Sequence, residues 1–116
     1  MKTPLLFSLA LTFCQPPGQL SQDETARAQA LIRAHGCWSC HIVPGMAGPA
    51  PNTGPPLTGQ GEKAYVAGVA PNTLDMLTAF ILDPRAVDPR SAMPNLGLSG
   101  DEAQLIARYL LDHGGT

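Results

Sequence analysis

Cys37-Trp38-Ser39-Cys40-His41 decides how the rest of the chain is read. Two thiols flanking a dipeptide, with an imidazole directly after them, form the arrangement that attaches haem c. The sulfurs add to the two vinyl groups of one porphyrin, and the adjacent histidine lies under the iron as an axial ligand. The motif therefore predicts one covalent haem c on Cys37 and Cys40, with His41 on the metal. A thiol redox pair would want a βαβ setting, whereas the flanking chain is rich in helix formers, Gly and Pro. Zinc would need further ligands, and the only other cysteine, Cys14, completes no second Cys-x-x-Cys.

With 116 residues and a formal charge of −2, the chain fits one small soluble domain and lacks the positive charge of a nucleic-acid binder. Only 5% of the residues are aromatic, too few to fill a core of this size, so a large apolar cofactor at the centre would supply what the side chains lack.

Lys2 and the apolar run over residues 4–13, broken only by Ser8 and Thr12, read as an export signal over residues 1–13. The run is too short to span a bilayer as a helix. It ends at Leu11-Thr12-Phe13-Cys14, which resembles a bacterial lipobox with Phe13 where a small residue is usual. Lipid on Cys14 would tether the domain to a membrane; the competing reading is an unmodified cysteine in an atypical signal. Residues 14–20, with Gln15-Pro16-Pro17-Gly18, form a linker or lipid tether, leaving residues 21–116 as the folded domain.

Ser21 and Glu24 make a capping box for a helix through residue 35, ended by Gly36, with Ala28, Leu31 and Ile32 facing inward. Residues 43–61 are dense in Pro and Gly and should lack regular structure, yet Ile42, Val43, Met46 and Leu57 favour an ordered loop over a polar linker. A short helix is predicted over residues 62–68, with Tyr65 and Val66 available for burial. Asn72 or Thr73 caps the next helix, whose Leu74, Leu77, Phe80 and Ile81 recur at helical spacing, and Asp83-Pro84 stops it. An irregular stretch over residues 85–98 contains Met93-Pro94. Ser99 and Glu102 then cap a last helix with Leu105, Ile106, Tyr109 and Leu110 on one stripe. No alternating strand pattern rises above noise.

This order of helix, Cys-x-x-Cys-His, Gly/Pro loop, helix, Met-Pro loop and terminal helix resembles the monohaem class I cytochromes c over residues 21–113. Three segments carry a closer likeness: Gly54-Pro55-Pro56-Leu57-Thr58-Gly59, Ala67-Gly68-Val69-Ala70-Pro71-Asn72-Thr73 and Ala92-Met93-Pro94-Asn95-Leu96. They look like the cytochrome c domain fused to subunit II of bacterial haem-copper oxidases, and like small free cytochromes related to it. With no copper-site domain in the chain, the free form is expected.

The resemblance implies an all-α class I cytochrome c fold, its helices wrapped around one haem, with residues 21–116 as the cytochrome c domain. It implies Met93 as the second axial ligand, cofactor contacts from Pro55, Leu57 and Tyr65, and a Pro55 carbonyl that accepts the second ring N–H of His41. A thioether is a soft, neutral donor, and His/Met ligation raises the iron potential relative to two nitrogens. Met46 and Met76 compete for that role; Met76 sits inside an amphipathic helix where core packing is the commoner use, and Met46 lies close in sequence to His41. His35 and His113 read as surface or helix-end residues, and Trp38 as covering a haem edge or facing solvent. The family often carries Trp where this chain has Phe80.

A six-coordinate haem leaves no position for substrate, so the expectation is an electron-transfer protein and not an enzyme. It would be exported to the periplasm or the outer face of the cytoplasmic membrane, monomeric when free. The implied redox partners are a quinol-oxidising complex and a terminal oxidase. Removing residues 1–13, which carry Lys2 and no acidic residue, takes the formal charge from −2 to −3, so long-range attraction to an acidic partner should not dominate docking. A small apolar patch beside Lys63, Arg85 and Arg90 is the expected contact. Two alternatives stand: a fixed haem subunit of an oxidase or dehydrogenase held by lipid on Cys14, and a haem protein with a labile Met93 that binds a diatomic gas or peroxide.

Overall fold

Ser21 opens the first helix, α1 (Gln22–Ala34), as the sequence requires: its hydroxyl accepts the Glu24 N–H at 3.1 Å and the Glu24 carboxylate accepts the Ser21 N–H at 3.1 Å. The computed structural model describes residues 19–113 together with Pro4; apart from Pro4, the expected export signal and Cys14 lie outside the described residues. Ala28 and Ile32 of α1 are buried and Leu31 packs half-buried against them. His35 is the C-cap, and Gly36 follows in the left-handed region (φ +73) that lets the chain turn sharply into the motif.

The last helix, α4 (Gly100–His113), begins with the second capping box: Ser99 N–H to Glu102 Oε1 at 2.9 Å and Glu102 N–H to Ser99 Oγ at 3.2 Å. Its predicted stripe of Leu105, Ile106, Tyr109 and Leu110 is buried. Fully buried Ala28 on α1 and Ala103 and Ala107 on α4 let the two helices lie close together. At the rim of that packing Arg108 Nη1 meets Glu24 Oε2 at 2.7 Å. The Tyr109 hydroxyl, wholly buried, donates to the Pro44 carbonyl at 2.6 Å and accepts from Gln29 Nε2 at 3.1 Å. One side chain thus ties α1, α4 and the chain leaving the motif.

Between these helices in the chain comes α2 (Leu74–Leu82), capped by the Thr73 hydroxyl on the Met76 N–H at 3.1 Å. Leu77 and Ile81 are its buried positions, packed towards α4. Asp83-Pro84 ends α2 as read, but the irregular stretch starts later than residue 85. Pro84 takes the first position of a further turn of helix, α3 (Pro84–Val87), where its missing N–H costs nothing.

The helix expected over residues 62–68 is a correction. A single 3₁₀ turn, Gln60–Glu62, leads instead into an antiparallel hairpin of β1 (Tyr65–Val66) and β2 (Ala70–Pro71), Tyr65 opposite Pro71 and Val66 opposite Ala70. Residues 67–69 connect the strands, and two of them, Ala67 (φ +53) and Gly68 (φ +74), lie in the left-handed region that tight hairpin connections use. The Val69 N–H bonds the Val66 carbonyl at 3.1 Å. Two-residue strands are too short to show alternation, and Ala at a left-handed position gives no turn signal. Val66 is buried as expected, but Tyr65 is 60% exposed. Among the described residues the chain is therefore helix-rich, with one small two-stranded sheet.

Candidate functional site

The motif is shaped by one helical turn. The Cys37 carbonyl accepts both the Cys40 N–H at 3.2 Å and the His41 N–H at 3.0 Å, and residues Cys37–Ser39 form the 3₁₀ turn that follows Gly36. The chain that leaves it is stitched to the Gly/Pro loop by two backbone bonds, Gly54 N–H to the Cys40 carbonyl at 2.7 Å and Leu57 N–H to the Ile42 carbonyl at 2.9 Å. These bonds flank His41 and set Pro55 opposite it.

His41 Nδ1 lies 2.7 Å from the Pro55 carbonyl oxygen. A carbonyl can only accept, so Nδ1 carries a proton, and in the neutral ring Nε2 keeps its lone pair for a metal. Gly54 makes the approach feasible, since a Cβ there would lie 2.5 Å from His41 Cε1 and 2.7 Å from Nδ1. The ring is held in a cradle that only glycine leaves open.

His41 opens onto a cavity of about 580 Å³, within the roughly 300–1,000 Å³ of sites that hold small molecules and cofactors. Seven of the residues expected to hold or touch the cofactor line it together: Cys37, Cys40, His41, Pro55, Leu57, Tyr65 and Met93. Four elements far apart in sequence contribute, namely the motif, the loop of residues 53–57, the hairpin and the loop after α3. Ile32, Val66, Leu77 and Phe80 add apolar wall.

The competing methionines lie elsewhere. Met46 and Met76 pack half-buried against the core, and neither lines the cavity. His35 and His113 are also outside its lining; His113 stacks on the Tyr109 ring at 4.3 Å, at the end of α4. Trp38 is half-buried against the core, its ring so close to Gly48 that a Cβ there would lie 3.0 Å away. Trp38 does not line the cavity.

The donor set bears on the rival chemistries. Burial pushes the Cys37 thiol up, the neighbouring Cys40 adding to the shift, which is opposite to the lowered thiol of a redox-active pair. Cys37 and Cys40 are not in a disulfide. Among the described residues no group of three or more His, Cys, Asp or Glu side chains is placed to hold a metal ion. Thiols for thioether bonds, one imidazole with a free Nε2 and one thioether around an apolar volume do fit a haem.

Three contributors escaped the sequence reading. Gly54 is decided by a ring approached in three dimensions, and only its place before Pro55-Pro56 hinted at a special backbone. Ser91 accepts the Met93 N–H on its hydroxyl at 3.2 Å, a local turn of which Ser-x-Met was the available signal. Gln60, buried in the cavity wall, is held by Asn72 through Gln60 Nε2 to Asn72 Oδ1 at 3.3 Å and Asn72 Nδ2 to the Gln60 carbonyl at 2.7 Å. No helix among the described residues is long and apolar enough to cross a membrane. Comparison with family models, with curated proteins and with solved structures gives no match to this chain.

Proposed function

We propose that this chain is a monohaem cytochrome c that carries single electrons between larger redox proteins. The observation that supports this most directly is the convergence of Cys37, Cys40, His41 and Met93 on one apolar cavity, with His41 Nδ1 engaged by Pro55. When bound, haem c supplies a one-electron iron couple. The chain's own residues do the rest. Cys37 and Cys40 would fix the porphyrin covalently, Pro55 keeps the His41 ring in one orientation and raises its basicity, and Met93 would offer the soft sixth donor that favours ferrous iron. The apolar wall would limit water at a bound iron and raise the cost of charge there, which would again favour the reduced state. His41 and Met93 would both be available to hold the iron, so the reading is electron transfer, not catalysis on a bound molecule.

Export to a compartment where haem c is attached belongs to the same reading, as do a quinol-oxidising donor and a terminal oxidase as acceptor. The test is the intact mass of the exported protein after denaturation and acid-acetone extraction, with a pyridine haemochrome spectrum. Chain plus one haem, with the pigment retained on the protein, is expected. A bare chain with the pigment in the solvent overturns the proposal. Rapid carbon monoxide binding by the reduced protein would instead support the gas-reactive alternative with a labile Met93.

A further inference from the structure

The loop that carries Met93 is shaped almost entirely by bonds to itself. The Ser91 N–H bonds the Asp88 carbonyl at 2.9 Å, the Arg90 N–H bonds Asp88 Oδ1 at 3.1 Å, the Met93 N–H bonds Ser91 Oγ at 3.2 Å, and the Gly97 N–H bonds Asn95 Oδ1 at 2.9 Å. Each spans two or three positions, so together they give the segment its form without fastening it to anything. Among the described residues, one hydrogen bond joins residues 89–98 to a distant part of the chain: His35 Nδ1 to the Leu96 carbonyl at 3.2 Å, across 61 positions. The remaining anchors, buried Leu98 and half-buried Leu96, are apolar contacts that hold the loop inward without fixing its position along the surface.

We propose that His35 is a positioning residue for Met93, clamping the Met93 loop to the end of α1 through the Leu96 carbonyl. This rests on the reading of Met93 as an iron ligand. A carbonyl has no proton to give, so Nδ1 is the donor, and the ring is not spent on its own helix. The His35 backbone N–H does that work, bonding the Leu31 carbonyl at 3.0 Å. His35 stands one residue before Gly36 and two before Cys37, at the turn that delivers the attachment segment. A single side chain therefore sets the loop that brings the sixth ligand against the segment that brings the fifth. Without it, the methionine should compete less well against a ligand from solution.

The experiment is an imidazole titration of the ferric holoprotein, comparing wild type with His35→Ala, His35→Leu, His35→Asn and Met93→Ala. Both donor-free His35 variants should bind imidazole about five- to tenfold more tightly, the worth of one hydrogen bond lost from the closed state. His35→Asn, whose amide nitrogen can occupy the place of Nδ1, should return to near the wild-type affinity. A role confined to global stability would move the thermal midpoint and leave imidazole affinity within twofold. That result, or an Asn variant indistinguishable from Ala and Leu, overturns the proposal while Met93→Ala still binds imidazole far more tightly than wild type. If Met93→Ala itself binds like wild type, the ligand assignment fails, and the role of His35 fails with it.

Discussion

His41 and Pro55, fourteen positions apart, are joined by a ring N–H to carbonyl bond of 2.7 Å, and the residue between them that makes room for it is Gly54. The bond decides which imidazole nitrogen is left for a metal, so the backbone of a Gly/Pro loop sets the chemistry of a motif in another part of the chain. The two backbone bonds from Gly54 and Leu57 to the chain on either side of His41 make this geometry hard to alter piecemeal.

Gly54→Ala should therefore act on the ring. Its new Cβ would stand 2.5 Å from His41 Cε1, and either the imidazole turns or the loop withdraws. Outer-sphere partners of metal-bound histidine are typically worth about 10–100-fold in affinity or activity. The variant is expected to give a several-fold lower yield of low-spin holoprotein and a shifted reduction potential, read by visible spectroscopy and redox titration. An unaltered spectrum and potential would show that the Pro55 bond does not orient the ligand.

Met93→Ala and Met76→Ala separate ligand from packing. Met93 lines the cavity, while Met76 is half-buried on α2 against the core. Met93→Ala should abolish the weak near-infrared sulfur-to-iron charge-transfer band, lower the potential and open the iron to carbon monoxide. Met76→Ala should keep the band and lose only stability, by about 2–5 kcal/mol if the site cannot close up and less given its partial exposure. The reverse pattern would move the ligand to α2.

How much of this was legible in the sequence follows from the range of each interaction. Ser21/Glu24 and Ser99/Glu102 are local devices three residues long, and both capping boxes form as read. The apolar stripe of α4 is likewise a helical pattern within one segment, and it is buried. The Tyr65–Pro71 hairpin was not legible because its strands are two residues each and its turn uses Ala67 where Asn, Asp or Gly would have announced it. The motif names its own three residues, but Gly54 and His35 matter through neighbours thirteen and sixty-one positions away, and nothing in their local sequence states that distance.

Tyr109→Phe tests the tie between the terminal helices and the motif. The hydroxyl is fully buried, and its loss strips the buried Pro44 carbonyl of its donor and Gln29 of an acceptor. Leaving a buried carbonyl unpaired costs about 1–3 kcal/mol, a fall of roughly 4–24 °C in the thermal midpoint of a domain this size. A midpoint within a degree of wild type would mean that the loop relaxes and finds another donor. Gly45→Ala should destabilise too, because its Cβ would stand 2.7 Å from the same hydroxyl at a left-handed φ of +71.

Acid should loosen both capped helices. The Ser21 backbone N–H, then the Arg108 hydrogen bond, holds the Glu24 carboxyl below the usual range; the Ser99 backbone N–H, then its hydroxyl, does the same for Glu102. A carboxyl depressed in the folded state contributes stability above its unfolded pKa and loses it as pH falls through the folded one. Thermal midpoints should thus drop as pH is lowered below about 4.3, the ordinary glutamate value. Glu24→Gln and Glu102→Gln, which keep an acceptor but cannot titrate, should flatten that acid limb. An unchanged limb in the double variant would assign the acid sensitivity to other groups.

The cavity itself sets the last expectation. At about 24 cal/mol per Å³, a dry void of 580 Å³ would cost on the order of 14 kcal/mol, as much as the entire stability of a small domain, roughly 5–15 kcal/mol. Opening to solvent offsets part of that but wets apolar side chains from α1, α2, α4 and the hairpin, so the cost is exchanged, not removed. The loop of residues 43–59 carries few long-range backbone bonds with which to compensate. Chain made without covalent attachment, as Cys37→Ser with Cys40→Ser, should give collapsed, poorly dispersed amide resonances and no cooperative thermal transition. Sharp, dispersed resonances from that variant would show that the helices close on their own core, and that the cavity is not the centre around which this chain folds.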